Sequence, residues 1–296
     1  MNLLIRFLAK LLALVLSIFF SLWPARVRWF FARGISFIAF DVFGVRRFTI
    51  LKNISLVFPQ KNHAERLSLA RVSLSHLSLN FIEFCLLPQV NQRWCDKNLI
   101  VHGWDHYEQA RLRNKGVLFL GLHLGNGDVG IAVLSLLGIR INSISKKFKN
   151  LFANEFWFGV REKMGTRFLA PHGKNLAFDI LKACRQKEAV IFVIDQFMGP
   201  PYGMATTFFG KATGTAYGLS LFSIKTGAPV VPVYVYRDEK FKTHLVFQPA
   251  VEAVADENKD LQLQKTTQKY NDILEKIILQ HPEQWMWMHR RWKTFS

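Results

Sequence analysis

The chain has 296 residues, 50% of them hydrophobic, with 27 phenylalanines and a formal net charge of +18. That length holds one large domain, or one domain with an appendage, and that charge calls for anionic partners. Nucleic acid is excluded as the partner, since the chain has no paired Cys/His finger, no aromatic RNA-binding strand and no low-complexity basic tail. An anionic membrane surface, phosphorylated lipid head groups and an acidic carrier protein remain. Cys85, Cys95 and Cys184 are an odd number at spacings that make no disulfide framework, which points to a reducing compartment. His102 and His106 have no cysteine motif beside them, so no metal is expected.

Residues 3–23 are apolar apart from Arg6 and Lys10, and the uninterrupted run 11–23 is short for a span, which takes about 20 residues. If both cations snorkel, residues 3–23 reach across, with Trp23 at the interface. SLWPARVRW offers no small-residue cleavage site, so a retained anchor is expected rather than a signal peptide. Arg26, Arg28 and Arg33, beside Trp29, Phe30 and Phe31, make a basic aromatic segment suited to a membrane surface. The boundary is set at residue 45: residues 1–45 as anchor and interfacial segment, residues 46–296 as the globular domain.

In that domain, Leu67, Ala70, Leu74, Leu77, Phe81 and Phe84 recur at helical spacing and predict a core helix over 61–88. A second helix is expected over 104–114. Strands at 117–122, 141–144, 167–169, 189–194, 229–236 and 244–247 then alternate with helices at 151–164, 176–185 and 216–226. This alternation predicts an α/β fold with a mostly parallel sheet flanked by helices, whose sites gather at the carboxyl ends of strands.

The stretch GVLFLGLHLGNGDVG, residues 116–130, reads strand, turn, helix, with His123 on the turn and Asp128 at the helix start. On a regular helix the two would stand about 140° apart, so they meet only across the turn. A carboxylate that holds an imidazole in one tautomer makes it a better base towards a hydroxyl. Gly125, Gly127 and Gly130 also spell the dinucleotide fingerprint GxGxxG. The acidic ribose partner expected about twenty residues later is missing, although the lysines there would suit an NADP phosphate. A capping Asp128 and a structural His123 would give the same spacing. Phe209-Gly210-Lys211 is not a phosphate loop, because Ala212 takes the Ser/Thr place. Lys146 and Lys147 lie beyond the second of these strands, placed to bind a phosphate or a carrier.

His123 with Asp128 resembles the His-x4-Asp/Glu motif of glycerolipid-type acyltransferases. More specifically, the chain resembles the late acyltransferases of lipid A biosynthesis, the lauroyl and myristoyl transferases, within the lysophospholipid acyltransferase superfamily. The likeness is carried by Asn53 to Pro59 (NISLVFP), Asp195-Gln196 with Gly199, Phe208-Phe209-Gly210 with Thr213 and Thr215, TGAPVVP from Thr226, and PEQWMWMHRRWK from Pro282. It implies a glycerolipid-acyltransferase-like fold, and transfer of an acyl chain from acyl carrier protein or acyl-CoA to a hydroxyl of a lipid A precursor. It implies no cofactor, and it places the catalytic domain on the cytoplasmic side of the bacterial inner membrane. Under it His123 is the base, oriented by Asp128. Arg161 stabilises the oxyanion, Asp195 orients a partner or the acceptor, Asn126 and Gln196 contact substrate, and the segment around Phe209 lines the acyl and acceptor site. Acylation of another membrane lipid, a lysophospholipid or glycolipid, fits the same dyad. An NADP-dependent membrane oxidoreductase and a catalytically silent membrane binder are the readings from other classes.

Overall fold

The computed structural model describes residues 2–171, 173 and 175–295. Helices come first: α1 (Asn2–Ser21), α2 (Ala25–Phe37), α3 (Arg47–Val57), α4 (His63–Cys85) and α5 (Gln92–Asn98). Then β1 (Leu99–His102), α6 (Trp104–Leu112), β2 (Val117–Gly121), α7 (Gly127–Leu136), β3 (Ile141–Ile144), α8 (Leu151–Lys163), β4 (Arg167–Leu169), α9 (Leu176–Arg185) and β5 (Ala189–Val193) alternate. After the pair β6 (Gly203–Phe208) and β7 (Lys211–Ala216) come α10 (Gly218–Thr226), β8 (Val230–Arg237), β9 (Thr243–Phe247) and α11 (Lys259–Gln280).

One seven-stranded sheet runs β1-β9-β8-β2-β5-β3-β4, parallel except where β9 meets β8. β2 is buried along its whole length, as a central parallel strand must be when helices cover both faces. Its side chains divide by the two-residue period: Leu118 and Leu120 join a core with α9, α10 and α11, while Val117 and Phe119 join a core with α6, α7 and α8. The strands and helices expected from alternation are present, with α4 narrowed to its capping box. There the Asn62 side chain accepts from Glu65 N–H at 3.0 Å, and Glu65 accepts from Asn62 N–H at 2.7 Å.

Besides the helices α2, α3 and α5, three elements have no counterpart in the sequence reading. β1 is a four-residue edge strand, LIVH, whose three apolar residues make a run too short to mark a strand. α11 buries Thr266, Thr267 and Asn271 along with Tyr270, Leu274, Ile277 and Ile278, so polar residues break its apolar stripe. The third is the β6–β7 hairpin, which buries Thr206, Thr213 and Thr215 where apolar residues would mark strands. Its turn takes Phe209 and Gly210 at positive φ, the geometry of a two-residue hairpin. Phe209-Gly210 is therefore a hairpin tip. Of this motif and the hairpin that contains it, only Ala216 faces the large cavity, which corrects the expectation that the motif lines it.

α1 is apolar enough to cross a membrane, with 19 residues at a mean hydropathy of 2.4 over Leu3–Ser21. Leu3, Phe7, Leu11, Leu14 and Ile18 are exposed along it. Exposed phenylalanines continue past it at Phe30, Phe37, Phe43 and Phe48.

Candidate active site

β2 and β5 are paired in parallel with Gly121 opposite Val193. The same offset of 72 residues extends beyond the strand ends and sets His123 against Asp195. The contact is thus a continuation of the sheet register. His123 Nδ1 lies 2.8 Å from Asp195 Oδ1, and the backbone N–H of His123 donates to Asp195 Oδ2 at 3.0 Å. The Trp285 indole N–H donates to Oδ2 as well, at 2.8 Å. Asp195 is 2% exposed, whereas the His123 side chain is 40% exposed. A carboxylate on Nδ1 fixes the proton there and leaves the Nε2 lone pair for substrate. The Gln196 amide nitrogen is 3.4 Å from Nε2, a weak donor that a substrate hydroxyl can displace.

Burial alone would lower the His123 pKa, but the facing Asp195 carboxylate outweighs it and the net shift is upward from 6.5. Burial pushes Asp195 the other way, and His123 and the Trp285 indole override it to hold the carboxyl at about 2. Asp195 is therefore ionised at neutral pH.

The expectation that Asp128 orients His123 is corrected at this point. Asp128 pairs with Arg161, and the carboxylate on the imidazole is that of Asp195. Asp128 stays close enough to His123 for their charges to interact. Burial pushes its carboxyl up and the Arg161 guanidinium down, each opposed by the charge of the other. Arg161 also lies over the rings of Trp157, Phe158 and Phe168, and its Nε is buried without a partner among the described residues. Sequence spacing suggested a local pair, but the pairing is across the sheet.

Between strand end and helix the chain turns tightly. Gly125 has φ +58, and a Cβ there would run into the Val235 carbonyl, so this position requires glycine. Asn126 then caps α7, its side-chain oxygen accepting from Asp128 N–H at 3.1 Å and Val129 N–H at 3.3 Å. Its amide nitrogen donates to Glu83 at 2.8 Å, and Glu83 in turn receives the buried Arg237 at 2.9 Å. Asn126, expected at the substrate, thus spends both ends of its amide on holding the turn. The same cap occupies two N–H groups that a pyrophosphate would need, so the dinucleotide reading loses its donors.

PEQWMWMHRRWK and NISLVFP, which carry the family likeness, both serve the catalytic turn. The segment after α11 lies along the catalytic turn: Gly125 N–H donates to Gln284 O at 3.1 Å, and Met286 N–H to His123 O at 3.1 Å. α3 and α4 fasten that segment. Asn53 donates to the carbonyls of Trp287 and His289, both at 2.7 Å, and Ser73 to that of Trp285 at 2.9 Å. Burial holds His289 at about 4, so its neutral Nε2 accepts from Phe197 N–H at 3.1 Å. Arg291 is fully buried and clamps the hairpin through Gly214 O at 2.6 Å and Thr215 at 2.7 Å. The signal available in the sequence was the density of tryptophan in PEQWMWMHRRWK.

His123, Asn126, Asp128, Arg161, Lys146 and Gln196 all line one cavity of about 1160 Å³. Lys147 is exposed and does not line it. Ile180, Phe192, Leu221 and Phe222 form an apolar part of the wall, and Leu77 and Phe81 another. A polar reacting centre within a large apolar cavity suits a substrate with long hydrocarbon chains.

The family model described as bacterial lipid A biosynthesis acyltransferase matches residues 1–294. The chain belongs to this family. The lipid A biosynthesis palmitoleoyltransferase of Escherichia coli K12 is 28% identical over 250 residues, covering 82% of this chain and 77% of the relative. A lipid A biosynthesis acyltransferase of Shigella flexneri shows the same identity and coverage. The Escherichia coli K12 lauroyltransferase of lipid A biosynthesis is 22% identical over 250 residues, with 82% and 78% covered. The protein is an acyltransferase of lipid A biosynthesis, acting on a lipid A precursor.

Proposed function

We propose that this acyltransferase moves a fatty acyl chain from a thioester, with acyl carrier protein as donor, to a hydroxyl of an acyl chain already on the lipid A precursor. The observation that carries this reading is the His123 Nε2 lone pair, turned to the cavity while Nδ1 is held by a buried, ionised Asp195. Nε2 takes the hydroxyl proton as the oxygen attacks the thioester carbonyl. The tetrahedral intermediate then expels the thiolate, which takes the proton back from the imidazolium. The products are an ester and a free thiol, with no acyl-enzyme. Arg161, whose Nε has no partner among the described residues, supplies positive charge for the developing oxyanion, with Asp128 holding its guanidinium. Lys146 at the cavity wall favours a phosphorylated or acidic substrate.

The net charge of +18 and the apolar α1 support action at an anionic bilayer, the cytoplasmic face of the bacterial inner membrane. Mass spectrometry of lipid A from cells with and without this chain tests the reading: loss of one acyl group gives acceptor class and chain length together. Unchanged lipid A with altered phospholipids would overturn it. With purified protein, acyl carrier protein and acyl-CoA donors are compared directly, and transfer from CoA alone would remove the carrier.

A further inference from the structure

The helix that bears Arg161 is held in an unexpected way. α8 finds its most extensive packing partner in α1, the apolar N-terminal helix. α1 turns a small-residue face inward, where Ala9, Ala13 and Ser17 are buried, and Ala9 and Ala13 share one core cluster with Phe156 and Val160 of α8. Small side chains let the two helices approach closely. Polar contacts fix the register along the helix. Arg6 Nε donates to Glu155 Oε1 at 3.1 Å, and Gln89 donates to Ser17 O at 2.9 Å and to its hydroxyl at 3.0 Å. Leu3, Phe7, Leu11, Leu14 and Ile18 occupy a different face and remain exposed.

We propose that α1 is a structural part of the catalytic centre: it holds α8 in place, and through α8 it positions Arg161 against Asp128. This rests on the role given above to Arg161. Trp157 transmits the constraint, with one face stacked on Phe84 of α4 at 4.0 Å and 11° and the Arg161 guanidinium on it at 5.2 Å. A helix used only to anchor the protein could be exchanged for any other of equal length and hydropathy, because lipid reads apolar area and not sequence. A helix that positions α8 could not be exchanged, since larger residues at 9, 13 and 17 would push α8 outward.

The test uses the full chain in detergent micelles, where delivery to the bilayer is not limiting. In one variant residues 3–21 are replaced by a leucine-rich helix of equal length. In a milder one, only Ala9→Leu and Ala13→Leu are introduced. Membrane retention is expected to stay as in the parent. Amide exchange over α8 should accelerate about tenfold or more, as for a segment that has lost a packing partner. The kcat should fall by a similar factor with acceptor KM little changed, because Arg161 acts on the transition state more than on binding. Arg6→Glu should speed α8 exchange slightly, and adding Glu155→Arg should restore it. Unchanged α8 exchange in both packing variants overturns the proposal whatever kcat does. Faster exchange with unchanged kcat overturns the link to catalysis, and points the failure at Arg161 rather than at the packing. Arg161→Lys in the parent separates the two independently, since unaltered kcat there removes Arg161's role without touching α1.

Discussion

Asp195 and Asp128 both act on His123, yet the fold secures them by different means. Asp195 stands just past β5, in line with His123 past β2, and its carboxylate meets an imidazole, a backbone N–H and an indole N–H. Asp128 sits in the first turn of α7 and depends on Arg161, which α8 brings from the same face of the sheet. Sheet register is set by a ladder of backbone bonds and does not adapt to one side chain. Helix packing is a softer constraint. The two carboxylates should therefore fail differently when altered: the one at the strand end through loss of the base, the one at the helix start through loss of oxyanion support.

The largest effect is expected from His123→Ala, which removes the base common to both sides. Transfer should drop by the ~10²–10⁴-fold that general base catalysis supplies, with circular dichroism unchanged. Residual turnover near the parent rate would end the assignment. Asp195→Asn comes next, because its single amide oxygen goes to the His123 and Trp285 N–H donors and its NH2 then faces Nδ1, which forces the wrong tautomer, and the loss should approach that of His123→Ala. Asp195 raises the pKa of His123 above 6.5 by favouring the imidazolium, so the parent's kcat/KM should fall as pH drops through that raised value. In Asp195→Asn that acid limb should move to lower pH. A limb in the same place would show that Asp195 does not face the titrating group.

Asp128→Asn is the sharpest test of the contrast. It leaves Arg161 without its counter-charge but His123 with its tautomer intact, so the expected loss is smaller, about ten- to a hundredfold, and the acid limb moves down by less than in Asp195→Asn, because the Asp128 charge contributes less to the raised His123 pKa. A larger loss than for Asp195→Asn would reverse the two roles. Trp285→Phe should do least, since Asp195 Oδ2 keeps the His123 N–H. One bond to a charged group, worth about 1.5–3 kcal/mol, is lost. Roughly a tenfold fall in kcat should result, readable in single-turnover assays.

Much of this was legible in the chain itself. His123 and Asp128 stand out by spacing, Arg161 and Asp195 only through the family resemblance, and apolar runs bounded by turns place β2 and β5 within a residue of their observed ends. Which acid serves the imidazole was not legible from spacing, since nearness in sequence favoured Asp128. The structure instead joins residues 72 apart. The order of strands supplies that information, and a reader who aligned 117–122 with 189–194 as neighbours would have found His123 and Asp195 level with each other. The tryptophan segment and Asn53 were visible only as a resemblance, because their work is done by backbone carbonyls that no side-chain pattern encodes. Asn126 carries a second duty that spacing does not show, since it lines the cavity and also caps α7.

The indole on Asp195 also has a consequence in time. Trp285 lies 90 residues after its partner, so a ribosome that has made both His123 and Asp195 needs about 5–18 s more to deliver it. Throughout that interval the nascent protein owns its base and its acid, but not the strap that lies along the catalytic turn. α1, made before either, is available to the membrane throughout that interval. Biogenesis thereby orders the events, with targeting ahead of competence.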